Sequence, residues 1–303
     1  MSVSKTSQEV LSNYQVRKTK TQKTEFIEFL KQQLGDKHKV VVEQSGMFKS
    51  RNIVVGDFEN SKYVLGAHYD TAPVIPFPNF VTPKNFLCYI LYNILIILGV
   101  AAVCGAIIGA LSLFFELDAW AGIVTYAVFM FFCWWMMFGK ANKHTANDNT
   151  SGVITLLEVL NNEELRDKVC CVFFDHEEVG LIGSSAFASK HSKELKDKVL
   201  INFDCVGDGD HCMFILSKSQ LNEEENIKES FIPVDGKEVI VTKSSNTIYP
   251  SDQANFKHHI GVAVLKKNKI VGYYLDKVHT NKDVNFDERN IHMLVEGLSR
   301  FVR

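Results

Sequence analysis

Five short stretches hold the residues whose types could do chemistry. They are Gly66-Ala67-His68-Tyr69-Asp70, Ala146-Asn147-Asp148-Asn149-Thr150-Ser151-Gly152, Phe173 to Ser184 with Asp175-His176-Glu177-Glu178 inside it, Asn202-Phe203-Asp204, and Val278-His279-Thr280. A catalytic zinc takes imidazole nitrogen and carboxylate oxygen and keeps one position open for water. One carboxylate can bridge two metals held about 3.5–4 Å apart. These stretches supply two histidines and three carboxylates for such a pair. Glu177 is left over beside a ligand, and a spare carboxylate next to metal-bound water has the chemistry of a general base.

Each residue also has a plainer reading. His68 alone would be a hydrogen-bonded core histidine, and Glu177-Glu178 alone a solvated loop pair. Asp148 would be the N-cap of the helix that follows it. Asp208 and Asp210 compete with Asp204, and His258 and His259 compete with His279. His176, His191 and His211 read as surface or core histidines, and Lys193 to Lys198 as a solvated charge run.

The elements that must position these residues alternate. Thr21 to Gly35 has Phe26, Phe29, Leu30 and Leu34 at helical spacing. Asn52–Val55, Tyr63–His68, Val169–Phe174, Val199–Phe203, Cys212–Leu216, Val262–Leu265 and Val271–Leu275 read as strands, being short, apolar and bounded by turn residues. Gly152–Leu160, Ser184–Lys190 and Glu288–Val302 read as helices. The alternation predicts an α/β fold, a three-layer α/β/α sandwich around a central mixed, largely parallel sheet. Open sheets of this kind carry their sites at the carboxyl ends of strands. Four of the five stretches fall there or just beyond, and Asp148 precedes a helix.

One region breaks the pattern. Pro73, Pro76, Pro78 and Pro83 make a stiff linker. Phe86 to Phe115 and Ala119 to Phe138 then run without a charge, interrupted by Glu116, Leu117 and Asp118. Each is long enough to cross a hydrocarbon core, which takes about 20 helical residues. Ala101, Gly105 and Gly109 form a small-residue stripe that would permit close helix contact. Tyr89, Tyr92, Trp120, Trp134 and Trp135 stand near the ends, as interfacial aromatics do. The expectation is a transmembrane helical hairpin at 86–139, inserted into one discontinuous catalytic domain of residues 1–85 and 140–303. Lys84, Lys140 and Lys143 flank it while its short loop is acidic, which places the catalytic domain in the cytoplasm.

Composition excludes little else. The formal net charge of −2 gives no footprint for nucleic acid. Met1 to Lys23 is polar with no apolar run, so no secretory leader is expected. Seven cysteines without CxxC spacing read as reduced, buried thiols.

Taken together, H-x-D at His68, N-D-N-x-S-G at Asn147, E-E-x-G-L-x-G-S at Glu177 and the late His279 resemble the M28 family of metallopeptidases, in that family's order, over residues 20–85 and 140–303. The resemblance implies the zinc-peptidase/phosphorylase-like fold and two zinc ions. It implies that His68 and Asp204 bind one zinc, that Glu178 and His279 bind the other, and that Asp148 bridges them. Glu177 becomes the general base, and Asp70 orients a zinc-bound imidazole. Ser251-Asp252 resembles the family's late S-D motif, and Asp252 supports the metal ligands from behind. Gln253 departs from the commonly seen histidine, and Val278 stands where several members carry an aromatic residue that helps hold the oxyanion.

The function implied is that of a membrane-anchored aminopeptidase acting on peptide substrates, its partner being a lipid bilayer through residues 86–138. Other divalent ions suit the same donors. Two alternatives stand beside it. A glutaminyl-cyclase-like acyl transferase would use the fold with a single zinc, and an inactive scaffold protein would have lost ligands.

Overall fold

The computed structural model describes residues 2–115 and 120–302. Glu116, Leu117 and Asp118, expected to interrupt the apolar region, fall outside the described residues.

The middle of the sheet is built from the apolar runs. The strands β3 (Tyr63–His68), β4 (Val169–Phe174), β5 (Val199–Phe203) and β8 (His259–Asn268) pair in parallel in the order β4-β3-β5-β8. All six residues of β4 are buried, as a central strand covered on both faces requires. Antiparallel joints flank this centre. On one side lie β2 (Ser50–Val55) and β1 (Val40–Ser45). On the other lies β6 (His211–Leu216), which carries β7 (Glu238–Lys243) in parallel. The short β9 (Gly272–Tyr274) folds back on β8. Among the described residues the sheet has nine strands, ordered β1-β2-β4-β3-β5-β8-β6-β7 with β9 off the path.

Strand alternation divides the core into layers. Leu65, Cys171, Phe173, Ile201 and Val262 pack with α1 (Lys5–Asn13), α2 (Lys20–Leu34), α5 (Gly152–Asn161), α7 (Glu224–Ser230) and α8 (Glu288–Phe301). The intervening Val64, Cys170, Val172, Phe174 and Leu200 pack with Phe187 of α6 (Ile182–Lys190) on the opposite face. Thr19 and Gln22 form a reciprocal capping box at the start of α2, satisfying two backbone N–H groups that would otherwise lack acceptors. The elements expected from the sequence stand within a few residues of their predicted bounds, while α1, β1, α7 and β7 were not anticipated. The seven cysteines are free thiols and five of them are buried.

Two long apolar helices, α3 (Phe86–Ser112) and α4 (Ala121–Phe138), leave this body together. Among the described residues, Cys104 is the one buried position in α3, and α4 has none. Both meet the length and apolarity that crossing a membrane needs. The small-residue stripe does not serve their contact. A Cβ at Gly105 or Gly109 would meet nothing within 4 Å. Phe132, Trp135 and Met136 of α4 instead face Gly99, Val100 and Val103 of α3, across a groove of about 400 Å³ also lined by Pro76 and Phe77. Tyr92 is tied to the domain rather than free at an interface, since its hydroxyl donates to Pro78 O at 2.7 Å.

Candidate metal centre

Each chemical residue is delivered by a different piece of backbone. His68 ends β3, and Tyr69 N, just past it, donates to Phe174 O at the end of β4 at 2.9 Å. Asp204 follows β5, with its N–H on Val262 O of β8. Asp148 sits in the turn Ala146–Ser151 ahead of α5, with its own backbone extended rather than helical (φ −108°, ψ 97°). It is not the cap of that helix, because Asn149 Oδ1 takes the N–H of Gly152 instead. Glu177 and Glu178 lie in the loop after β4. That loop turns sharply through left-handed residues, Gly180 at φ 106° and Leu181 at φ 59°. Gly183 then passes so close that a Cβ there would meet Asp175 O at 1.9 Å, which explains both glycines of the G-L-x-G-S motif. His279, also left-handed at φ 63°, follows the strand-like return at Leu275.

These pieces bring all five predicted ligands together. His68 Nε2 lies 3.2 Å from Asp148 Oδ1 and 3.8 Å from Asp204 Oδ1. His279 Nε2 lies 3.1 Å from Asp148 Oδ2 and 3.0 Å from Glu178 Oε2. Asp148 therefore turns one oxygen to each histidine. The donors form two triads, His68-Asp148-Asp204 and Asp148-Glu178-His279, with the atoms of each triad within 4.8 Å of one another. Glu177 shares the cavity, of about 100 Å³, which Tyr89, Cys205, Tyr249, Leu275 and Val278 also line. The competing histidines and aspartates lie elsewhere. His258 bonds Ser219, His259 bonds Phe256 O, Asp208 pairs with Lys266, and Asp210 pairs with Lys237.

The electrostatics ask for a cation. Asp148, Glu177, Glu178 and Asp204 line one small cavity, with no lysine or arginine among its described lining residues. Burial pushes the Glu177 carboxyl well up, and the neighbouring Glu178, Asp204 and Asp252 add to it against His68. Burial alone would lower His68, yet Glu177, Asp148, Asp204 and Asp70 outweigh it and raise the imidazole. His279 is raised in the same way, chiefly by Glu178 and Asp148 against burial. Glu177 and Glu178 pushed toward the neutral form beside imidazoles pushed toward the cation, with Asp148 held ionised against its burial by His279 and His68, describe a cluster short of positive charge. Glu178 Oε1 is buried without a hydrogen-bond partner. Two imidazoles and three carboxylates in two overlapping triads suit divalent metals of the zinc type.

Residues behind the ligands hold the geometry. Asp70 accepts the backbone N–H of both Glu177 (3.0 Å) and Glu178 (3.2 Å), and lies 3.6 Å from His68 Nδ1. Burial opposes its ionisation, but His68, Lys23 and the Glu177 amide hold it at about 2. Asp252 is fully buried with neither oxygen bonded, and burial raises it to about 7. Gln253, where a histidine is common, donates to Tyr249 O and accepts from Asn202 Nδ2. Val278 lines the cavity without a polar group, whereas Tyr249 puts a phenol on its wall, bonded to Asp204 O at 3.0 Å.

Residues 126–297 match the sequence model of peptidase family M28. The chain belongs to this family. A search of curated protein sequences returns no match. In fold, this M28 chain is similar to the aminopeptidase LapA of Legionella pneumophila, with a TM-score of 0.59, 13% identity, and coverage of 98% of this chain and 68% of that one. It is similar to a Zn-dependent exopeptidase from Parabacteroides distasonis, with a TM-score of 0.57, 12% identity, and coverage of 98% and 96%. It is similar also to the glutaminyl cyclase of Porphyromonas gingivalis, with a TM-score of 0.56, 16% identity, and coverage of 97% and 94%. Family membership makes the chain a metal-dependent peptidase by kind, and the structural likenesses speak for the fold.

Some supporting residues were not legible beforehand. Asp283 accepts the N–H of Asn147 (3.0 Å) and of Asp148 (2.9 Å), fixing the turn that carries the shared carboxylate. Arg17, fully buried, donates to Tyr69 O, to Tyr14 O and to Thr150 Oγ1. Thr145 N donates to Gln15 Oε1, so the N-terminal segment ties the His68 loop to the Asp148 turn. Neither Asp283 nor Arg17 belongs to a recognisable motif.

Proposed function

We propose that this M28 peptidase is a two-metal aminopeptidase anchored in a membrane by α3 and α4. The observation that carries the reading is Asp148, whose two oxygens face His68 and His279, with Asp204 and Glu178 at the outer corners. His68, Asp148 and Asp204 would hold one zinc, and Asp148, Glu178 and His279 the other. Bound there, the metals would make a water nucleophilic near neutral pH and polarise the scissile carbonyl. Glu177, the remaining carboxylate in the cavity, takes the proton of the attacking water and returns it to the leaving amine. Its raised affinity for a proton suits a group that must both accept and release one. Asp70 keeps Glu177 in reach by gripping the amides of Glu177 and Glu178 together. The free amine of the substrate meets a cavity rich in carboxylate, which favours an N-terminal ammonium over a blocked end.

The chain is then one discontinuous peptidase domain, residues 1–85 and 140–303, with a membrane hairpin at 86–139. Lys84, Lys140 and Lys143 at the hairpin bases favour a cytoplasmic domain. Tyr89, in the first turn of α3, lines the catalytic cavity, and Met137 and Phe138 of α4 line an adjoining one together with Glu178. A cleft so close to both helix bases faces the bilayer surface and favours peptides released at, or partly embedded in, the membrane.

The test combines bound-metal analysis of the detergent-purified protein with residue release from free and N-acetylated peptides. Expected are about two zinc ions per chain and cleavage of free N-termini alone. Glu177→Gln should lower kcat by about 10²–10⁴-fold while the metal is retained. Loss of ammonia from an N-terminal glutamine peptide without shortening would move the assignment to cyclase chemistry. A folded protein with neither metal nor activity would sink the enzyme reading.

A further inference from the structure

Two loop tips are apolar where a loop in water is usually polar. Met47 and Phe48, at the β1–β2 turn, are 89% and 60% exposed, and Ile270, at the β8–β9 turn, is 89% exposed. Single exposed apolar residues are ordinary, so position decides. Ser50 of β2 lies three residues before Ile53, which pairs antiparallel with Phe173 near the carboxyl end of β4. The first turn is therefore at the site end of the sheet. β8 runs parallel to β5 and finishes at Asn268, so the second turn is at that end too.

Each tip also stands beside the base of one apolar helix. Phe48 shares a cavity of about 270 Å³ with Met137 and Phe138, in the last turn of α4. At the other turn, Val271 O accepts from Asn85 Nδ2, the cap residue of α3, at 3.4 Å. Phe80 joins Tyr274 of β9 to Tyr92 of α3, with ring centroids 5.9 and 5.2 Å apart. The flanking charges are of one sign. Lys49 follows Phe48, Lys267 and Lys269 precede Ile270, and Lys84 and Lys140 border the helices, all exposed. Apolar side chains set among lysines bind the headgroup layer of anionic membranes, the first by burial and the second by attraction to lipid phosphate.

We propose that the Met47-Phe48 and Ile270 tips dip into the headgroup layer of an anionic bilayer, with Lys49, Lys267 and Lys269 on its lipid phosphates. The catalytic domain is then held to the membrane by the hairpin and by a contact on each side of it. This rests on the reading of α3 and α4 as membrane spans, and the test separates the two.

The full chain is reconstituted in nanodiscs of phosphatidylcholine with phosphatidylserine. The photoreactive residue p-benzoylphenylalanine is placed, one position at a time, at Phe48, Ile270, Leu98 and Ile232. Leu98 lies midway along α3. Ile232 is an exposed apolar control at the opposite end of the sheet: neighbouring Ser230 accepts from Arg300 near the end of α8, where Phe301 meets Tyr63 at the start of β3. Lipid adducts, counted by mass spectrometry, should form at 48 and 270 as at 98, and exceed those at 232 several-fold. Removing phosphatidylserine, or combining Lys49→Glu with Lys267→Glu and Lys269→Glu, should lower the yield at 48 and 270 several-fold and leave 98 unchanged. Adducts at 98 with 48 and 270 no higher than 232 would overturn the proposal and leave the spans standing. No adducts at 98 would overturn the spans and the proposal with them.

Discussion

α5 and α3 are both apolar helices, and they meet opposite surroundings. Eight of the ten residues of α5 are buried, against one of twenty-seven in α3. α5 is short, lies against β3, β4 and β5, and follows directly from the turn that carries Asp148. α3 contacts chiefly α4, and between them lies a groove rather than a seam. Apolar composition alone does not tell a helix of the protein interior from one long and apolar enough to cross a membrane; among the described residues, burial separates the two.

That contrast can be broken at several places. The largest effect is expected where the N-terminal segment ties the site loops together. Arg17→Ala would strip partners from Tyr69 O, Tyr14 O and Thr150 Oγ1, at about 1–3 kcal/mol of unfolding free energy for each buried acceptor left unpaired. Denaturant titration in detergent would measure it, and a loss below 1 kcal/mol would mean that the segment merely rests on the domain.

Next come matched truncations in the two helices. Leu156→Ala in α5 should cost about 2–5 kcal/mol, the range for a buried leucine. Leu98→Ala, at a position 61% exposed, should leave the same transition within about 0.5 kcal/mol. Equal losses would place α3 in a protein interior after all. Wild-type stability in both variants would mean that the transition does not report on the catalytic domain.

The smallest expected effect is one of charge. Asp287 caps α8 and is held below its ordinary value of 3.8 by Arg289 first, against burial, with Lys237 adding to the pull. A carboxyl depressed in the folded state adds stability above its unfolded pKa and loses it as the pH falls toward the folded one. Asp287→Asn keeps a capping oxygen, so it should cost about 0.5–1 kcal/mol at neutral pH. The difference from wild type should shrink as the pH falls below about 4. A difference that stayed constant as the pH fell well below about 4 would remove charge as the cause.

The candidate site residues stood out in the sequence because their types are rare in such company and their order matches a known pattern. The central strands were legible because burial on both faces demands unbroken apolar runs, as in Val169–Phe174. Edge elements were harder. β1 is half-exposed, and Glu43 and Gln44 break its apolar run. β7, also at an edge, alternates too weakly to stand out. α1 offers little more than Val10 and Leu11 to the core. Asp283 was beyond reach for a different reason. Its role depends on a loop far along the chain meeting the Ala146–Ser151 turn, and no local pattern around Lys282-Asp283-Val284 encodes that meeting. The small-residue stripe misled because it specified which face could approach closely, not which face would be met.

The sharing of Asp148 has a genetic consequence. Loss of Asp204 or of Glu178 would take a donor from one triad alone, whereas Asp148 belongs to both. A single altered codon at position 148 dismantles both. On the proposed two-metal reading, a related chain without a carboxylate at that position could assemble neither half of the double site, whatever its other residues.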